Sequence, residues 1–443
     1  MSKLLLSYYG DDFTGSTDVM EALASNGVQT VLFTRRPAEA EFRQFTDYLA
    51  IGQAGTSRSQ SPEWMEQNLR PAFEWLKSLG AQFCHYKVCS TFDSAPEVGS
   101  IGRAIDIGRD VFAQETVPLV VGAPQLKRYT AFGHLFAAYR GQLYRIDRHP
   151  VMSRHPVTPM GEADLRLHLA EQTRTPVLLA GLDMLSGASV DDGVDAFVAG
   201  NKGIVLFDVI DDRTQRVVGR QLIRLSKTAG PFVAGSSGIE YALVQALRDE
   251  GSIPGETNFA PFARVDRLVA VSGSCSPTTE RQIRYALAYG FDGVQADPAK
   301  FASESCGAEI SRVIDQAELF LKAGRSVAVY TALGGGTDRG LELDAMPGAR
   351  DRVGEALGRI TGSLVQRADL KRIVIAGGDT SSHALGQLDI FAVTTRFPLK
   401  SAPGSPLCVA HSSNPVFEGL EFALKGGQIG GDDYFVMLRD GTC

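Results

Sequence analysis

The sequence predicts an α/β protein of two domains, each with a largely parallel sheet and helices packed against it. Three observations carry this expectation. The chain has 443 residues, more than one hydrophobic core usually serves. Short apolar runs alternate with helix-patterned stretches in both halves, as strands joined by crossover helices do. Between the halves, residues 249–264 carry Gly, Pro and charge without periodicity, the composition of a linker. We place an N-terminal domain at residues 1–250 and a C-terminal domain at residues 265–443, and expect an active site in the cleft between them.

The elements follow in order. Leu4–Tyr8 reads as a strand and Ser16–Ser25 as a helix, with Val19, Met20 and Leu23 on one face and Asn26-Gly27 as the stop. Thr30–Phe33 and Tyr48–Gly52 are further strands. Ser61-Pro62-Glu63 opens a helix with a capping serine and a proline at the first helical position. That helix runs toward Gly80 with Pro71 inside it. Phe83–Val88, Leu119–Gly122, Ile204–Val209 and Phe232–Ala234 complete the strands of the first half. In the second half, Leu268–Val271, Ser326–Thr331 and Arg372–Ala376 read as strands, and Thr278–Tyr289 and Arg352–Gln366 as helices. Gly334-Gly335-Gly336 and Gly426-Gly427 with Gly430-Gly431 read as loops.

Composition narrows the function. Hydrophobic residues at 44% and charged residues at 21% are ordinary for a globular enzyme. The net charge of −7 argues against a nucleic-acid partner, though local basic residues can still gather a small anion. The six cysteines include no CxxC pair, so free thiols in a reducing compartment are expected. Met1-Ser2-Lys3 runs into the first strand without a signal-peptide core, and no apolar run of ~20 residues follows. A cytoplasmic protein with no membrane partner is the expectation, and a homo-oligomer is compatible with it.

Two strand-to-helix turns carry most of the chemical information: Tyr9-Gly10-Asp11-Asp12-Phe13-Thr14-Gly15 and Ala376-Gly377-Gly378-Asp379-Thr380-Ser381. Free backbone N–H groups and a helix dipole favour anions at such turns. Asp11 and Asp12 can hydrogen-bond substrate hydroxyls, and one can act as general base toward a hydroxyl attacking phosphorus. Equally, one can simply cap the following helix, and both readings stand at this point. Arg58, among Gly55-Thr56-Ser57 and Ser59, can form a fork for a carboxylate or be a surface arginine. In Tyr86–Ser94, Lys87 offers a point charge to an anion, and Ser90, Thr91 and Asp93 can read hydroxyls or make a self-satisfied turn. Cys89 lacks an adjacent base and reads as a filler rather than a nucleophile. His149, His155 and His168 have no metal-ligand spacing and read as structural or loop residues.

In the second half, Ser272–Thr278, which includes Ser274, ends a strand and opens a helix, making a nest of donors for phosphate or ribose. Gly377-Gly378-Asp379-Thr380 does the same at a later strand, and Pro403-Gly404-Ser405-Pro406 can wall a base or ribose. Open α/β sheets bind ligands at the carboxyl ends of their strands, so several such turns in one domain reinforce each other. No Gly-Lys pair exists, hence no Walker-A loop, and no G-x-G-x-x-G follows the first strand.

Taken together, these clusters resemble the four-carbon acid sugar kinase family. The resemblance rests on Asp11–Gly15, Thr56-Ser57-Arg58, Lys87 with Ser90-Thr91, Ser272–Ser276, Gly377–Thr380 and Pro403-Gly404, in order along nearly the whole chain. It implies ATP-dependent phosphorylation of a terminal hydroxyl on a tetronate-like acid, with ATP at Ser274, Gly377, Gly378, Asp379, Thr380 and Gly404. It implies the sugar acid in the N-terminal domain. On this basis Arg58 and Lys87 are expected to hold the carboxylate and Asp12 to orient or deprotonate the hydroxyl. Asp11, Ser90, Thr91 and Asp93 would contact the remaining hydroxyls, and Mg²⁺ would bridge the ATP phosphates. One departure concerns the central motif, where many members carry Lys-x-Asp-Ser-Thr followed by Arg-Gly. Here Cys89 takes the aspartate place and Phe92–Pro96 replaces Arg-Gly, and Arg148–Met160 looks specific to a branch. A 3-oxo or branched acid such as 3-oxo-tetronate or 3-oxo-isoapionate is therefore as consistent as threonate or erythronate. A nicotinamide-dependent sugar-acid dehydrogenase and a non-catalytic nucleotide sensor are the alternatives.

Overall fold

The computed structural model describes residues 4–334, 339–344, 346 and 348–442. Gly335 and Gly336 of the predicted triple-glycine loop lie outside the described residues. The chain divides into two compact units. The first comprises residues up to Val31 and Ala38–Thr257; the second comprises Leu32–Pro37 and the residues from Asn258 onward.

The first unit is built on strands β1 (Leu6–Gly10), β2 (Thr30–Phe33, whose last two residues count with the second unit), β3 (Ala50–Ala54), β4 (Phe83–Lys87) and β5 (Thr116–Val120). A small group follows, β6 (Arg128–Ala131), β7 (His134–Tyr139) and β8 (Gln142–Arg145), and then β9 (Val177–Ala180), β10 (Gly203–Phe207) and β11 (Phe232–Gly235). The main sheet runs β2-β3-β1-β4-β11-β5-β10-β9, parallel at each pairing from β3 to β9. Its central strands β1, β4, β5 and β10 are buried at every position, as strands covered by helices on both faces must be. The expected helix after Ser61 runs Pro62–Ser78 and continues through Pro71.

Strands β6–β8 form a separate antiparallel sheet that the sequence did not announce. Most of their residues are half-buried or exposed, so they lack an apolar signature. The buried Asp208 pins this sheet by accepting the N–H groups of Phe132 (2.6 Å) and Gly133 (3.0 Å).

In the second unit, β12 (Val269–Ser272), β13 (Phe291–Gln295), β14 (Ser326–Tyr330), β15 (Arg372–Ala376), β16 (Ala392–Phe397), β17 (Leu407–His411) and β18 (Glu421–Lys425) are ordered β13-β14-β12-β15-β18-β17-β16. Pairing is parallel from β13 to β18 and antiparallel at β17 and β16. Leu268, Ile283, Phe291, Val374, Ala423, Tyr434 and Leu438 pack into one core. The predicted linker ends in a fixed segment, because Phe262 is buried in that core under the Arg372 guanidinium, 4.7 Å from its ring centre. Segment Leu32–Pro37 joins this unit through Thr34, whose N–H donates to the Phe391 carbonyl at 3.0 Å. Two α/β units with largely parallel sheets are what the sequence predicts. No helix among the described residues is long and apolar enough to cross a membrane.

Candidate active site

In the first unit the middle of the sheet supplies the chemistry. Gly10, at the end of β1, pairs with Ala54 at the end of β3 and with Lys87 at the end of β4. The loops carrying Asp11-Asp12, Thr56–Ser59 and Val88–Ser94 therefore leave the carboxyl ends of three adjacent parallel strands. Two backbone bonds tie them together: Asp11 N–H to the Lys87 carbonyl (2.9 Å) and Arg58 N–H to the Asp11 carbonyl (3.1 Å).

Both oxygens of Asp12 are engaged. Oδ1 caps helix Phe13–Ser25 by accepting the Gly15 N–H, and Oδ2 accepts from Arg58 Nη1 at 3.1 Å. The capping alternative for this residue is thus realised. Arg58 also forks onto Asp93, with Nη2 2.8 Å and 3.0 Å from its two oxygens. The Asp93 carboxylate is filled by protein donors, since Thr91 Oγ1 (2.6 Å) and Thr158 Oγ1 (3.2 Å) add to Arg58. Burial would raise its pKa, but the Arg58 charge and the Thr91 hydroxyl outweigh burial and hold it below the ordinary aspartate value. Phe92, buried and held at φ 58°, turns the chain so that Asp93 faces Arg58. Thr91 is committed to Asp93, while Ser90 is half-buried in the turn before it.

Asp11 contrasts with its neighbour. Its Oδ1 is buried and, among the described residues, has no hydrogen-bond partner, and the same holds for Thr14 Oγ1 and Asp18 Oδ1. Such orphans are rare unless a ligand completes them. Burial, then the Asp12 charge, push the Asp11 pKa from 3.8 up to about 7, against the pull of Arg58 and Lys87. Lys87 is buried with its ammonium 3.9 Å from Asp18 Oδ2, beyond hydrogen-bond range. Burial opposes its charge, but Asp18 and then Asp11 more than compensate and raise its pKa. The structure thus places a charged lysine among three carboxylates, with acceptor oxygens still unsatisfied.

Gly15 makes room for this arrangement. A Cβ there would lie 2.6 Å from Asp12 Oδ1 and 3.0 Å from Lys87 Nζ. Gly15→Ala is expected to displace both, costing about 0.5–2 kcal/mol through the lost cap and raising KM for the first-unit ligand. Thermal unfolding and steady-state kinetics check this; an unchanged KM would place the ligand elsewhere.

Sequence reasoning gave no site role to Thr14, which it quoted in the first turn, nor to Asp18 or Thr158. The first two had a signal, because they stand at i and i+4 of one helix and interrupt its apolar face. Thr158 belongs to Arg148–Met160, and only the fold brings that loop to Asp93. The histidines hold local structure: His149 Nδ1 accepts from Val151 and Met152 N–H, His155 Nδ1 accepts from Thr158 N–H, and His168 Nε2 bonds the Ser94 hydroxyl at 2.8 Å. Burial pushes the His168 pKa down to about 4, so its ring is neutral near pH 7.

The second unit repeats the plan. Ser272 of β12 pairs with Ala376 of β15, and Ala376 pairs with Lys425 of β18. Loops 273–276, 377–378 and 426–427 therefore leave three adjacent parallel strands at one level. Gly273 N–H donates to the Ala376 carbonyl (3.1 Å) and Gly377 N–H to the Lys425 carbonyl (2.9 Å). Ser276 caps helix Pro277–Ala288, and its hydroxyl donates to the Gly427 carbonyl. Ser276 N–H in turn donates to Ser274 Oγ at 3.3 Å. Gly377 sits at φ 123°, a conformation closed to other residues, and starts the turn into helix Gly378–Leu385. Among the described residues nothing lies within 4 Å of the Cβ position of Gly378. Gly404, at φ 81°, lies in the turn before β17. Asp379 and Thr380 lie in the first turn of helix Gly378–Leu385, and their side chains are outside the described residues.

Comparison with known proteins extends these observations. The family described as a sugar-binding N-terminal domain matches residues 6–243, and the family described as a nucleotide-binding C-terminal domain matches residues 269–435. A 3-oxo-isoapionate kinase of Paraburkholderia graminis is 45% identical, over 99% of this chain and 94% of its own length. A 3-oxo-tetronate kinase of Methylobacterium radiotolerans is 31% identical over 99% of each chain. The crystal structure of a Haemophilus influenzae protein shares the fold, with a TM-score of 0.71 at 24% identity over 97% of this chain and 98% of that one. With both domain families matched in order and these relatives aligned end to end, the chain belongs to the four-carbon acid sugar kinase family.

Proposed function

We propose that this protein transfers the γ-phosphate of ATP to a terminal hydroxyl of a small sugar acid, with a 3-oxo or branched acid of the 3-oxo-isoapionate type as the first candidate. One observation carries the reading. In the unit that matches a sugar-binding domain, Asp11, Thr14 and Asp18 present buried oxygens that have no partner among the described residues, beside the Lys87 ammonium. A polyhydroxylated anion satisfies both features, offering hydroxyl donors to the oxygens and a carboxylate to the cation. The 45% identity to a 3-oxo-isoapionate kinase supports the choice of acid.

In this reading Lys87 binds the carboxylate, and Arg58, clamped by Asp12 and Asp93, presents its remaining edge to the same group. Ser90 and Asp18 contact hydroxyls. Asp12 orients the pocket through the Gly15 cap, and Asp11 accepts the proton that leaves the attacking hydroxyl, for which a pKa near 7 is suited. The O–P bond forms as the bond to the ADP oxygen breaks, and the proton passes from Asp11 to solvent. Ser274, Gly377, Gly378, Asp379, Thr380 and Gly404 are assigned to the nucleotide. Mg²⁺ would neutralise charge developing on the phosphates.

A coupled ADP-release assay over C4 and C5 aldonates, their 3-oxo forms and 3-oxo-isoapionate tests the proposal. Turnover with at least one acid, and a thermal shift with ADP but not NAD, are expected. No ADP formation with any acid would favour a nucleotide sensor, and a shift with NAD alone a dehydrogenase.

A further inference from the structure

We infer that Lys425 supplies the fixed positive charge that holds the nucleotide's phosphates in the second unit, a role that no motif of the sequence assigns to it. This rests on the reading of that unit as the nucleotide site. Lys425 ends β18, immediately before Gly426-Gly427, and its side chain is fully buried. Its ammonium donates to Thr279 Oγ1 at 2.9 Å. Among the described side chains it makes no ion pair. A buried ammonium with one neutral partner is a costly arrangement unless an anion joins it.

The surroundings are made for such an anion. Thr279 also contacts Ser274 Oγ (3.2 Å) and the Gly427 carbonyl, so the lysine stands directly beneath the serine-rich turn at the head of helix Pro277–Ala288. Ser274, Ser276 and Gly427 above it are half-buried, whereas Lys425 and Thr279 are sealed. The β17–β18 register sets Leu407 against Ala423, which carries Ser405 to the level of Lys425. Ser405 is fully buried, and among the described residues its hydroxyl has no hydrogen-bond partner. A sealed cation and an orphaned hydroxyl thus converge near the turns assigned to phosphate.

Both Lys425 and Lys87 are buried at the carboxyl end of a central strand. Lys87 has Asp18 and Asp11 to keep it charged. Burial pushes the Lys425 pKa down to about 7, and among the described side chains no charge opposes that shift. A bound di- or triphosphate would supply that charge, as the lysine of a Walker-A loop receives it in proteins that have one.

Calorimetric titration of the full-length protein with ADP and with adenosine tests the inference. In Lys425→Met, ADP affinity is expected to fall by at least about tenfold, with adenosine affinity unchanged. ADP affinity within twofold of the unsubstituted protein would overturn the inference. If Lys425→Met does not fold, Lys425→Arg and Lys425→Gln separate charge from hydrogen bonding. Stronger ADP binding by the arginine variant supports the inference, and equal binding by both overturns it. An unsubstituted protein that binds neither ligand would remove the nucleotide reading itself, an outcome distinct from failure of the lysine assignment.

Discussion

Asp11→Asn is expected to lower kcat by about 10²–10⁴-fold, the usual contribution of a positioned general base, while the Kd for ADP stays unchanged. Asparagine keeps the shape and a hydrogen-bonding oxygen but cannot take a proton. The pH dependence distinguishes this from a packing effect. A base works only when ionised, so kcat/KM should rise with pH through the ionisation of Asp11, which burial and Asp12 place at about 7. That acid limb should vanish in Asp11→Asn. In Asp12→Asn it should move to lower pH, because a like charge that raises the Asp11 pKa has gone. Full loss of turnover in Asp12→Asn, with Asp11→Asn active, would return the base to Asp12. Stability supplies an independent check with a definite sign. A carboxyl whose folded pKa lies above its unfolded value of 3.8 binds more protons when folded, so it costs stability as pH rises from 3.8 to about 7. Asp11→Asn should therefore gain unfolding free energy relative to the unsubstituted protein at pH 8 and show little gain at pH 4.

The sequence made the plan of each unit legible, because parallel strands buried on both faces leave uninterrupted apolar runs and their carboxyl ends leave conspicuous polar turns. Arg372–Ala376 matched to the residue, and Asp11, Arg58, Lys87 and Asp93 fell into one cluster. Strands β1 and β3 were displaced by two residues, since hydrophobicity reports burial rather than the last paired residue, and Gly10 and Ala54 still pair. What stayed hidden depended on contacts distant in sequence. Whether Asp11 or Asp12 has an uncommitted oxygen depends on where Arg58 points, some 46 residues away. The Thr158 hydroxyl reaches Asp93 across 65 residues. Lys425 lay next to glycines that drew attention to the loop, yet its lack of an ion pair among the described side chains exists only in three dimensions. Segment Leu32–Pro37 belongs to the second unit for a similar reason: Thr34 finds its partners, Ile390 and Phe391, more than 350 positions along the chain.

Arg58→Ala is expected to weaken the protein and the acid site together, and the two effects can be separated. The Asp93 side chain is fully buried, and its partner Arg58 is 28% exposed. Removing the guanidinium strands an ionised carboxylate with only Thr91 and Thr158 as donors, a change that costs about 3–5 kcal/mol when a buried pair loses one member. The sign with pH follows from the depressed Asp93 pKa. A carboxylate favoured in the folded state contributes stability above its unfolded pKa and loses it as pH falls through the folded value. In Arg58→Ala that contribution is absent, so the deficit against the unsubstituted protein should be largest near pH 7 and shrink as both are titrated below the ordinary aspartate range. Chemical unfolding at pH 7 and pH 3 measures it; an equal deficit at both would mean that Arg58 stabilises by packing rather than charge. Adding Asp93→Asn removes the stranded charge and should restore much of the stability lost by Arg58→Ala. It should not restore KM for the sugar acid, because the cation that faces the substrate carboxylate is still missing. Recovery of both together would make Arg58 a purely structural partner of Asp93 and leave Lys87 as the single cation of the acid site.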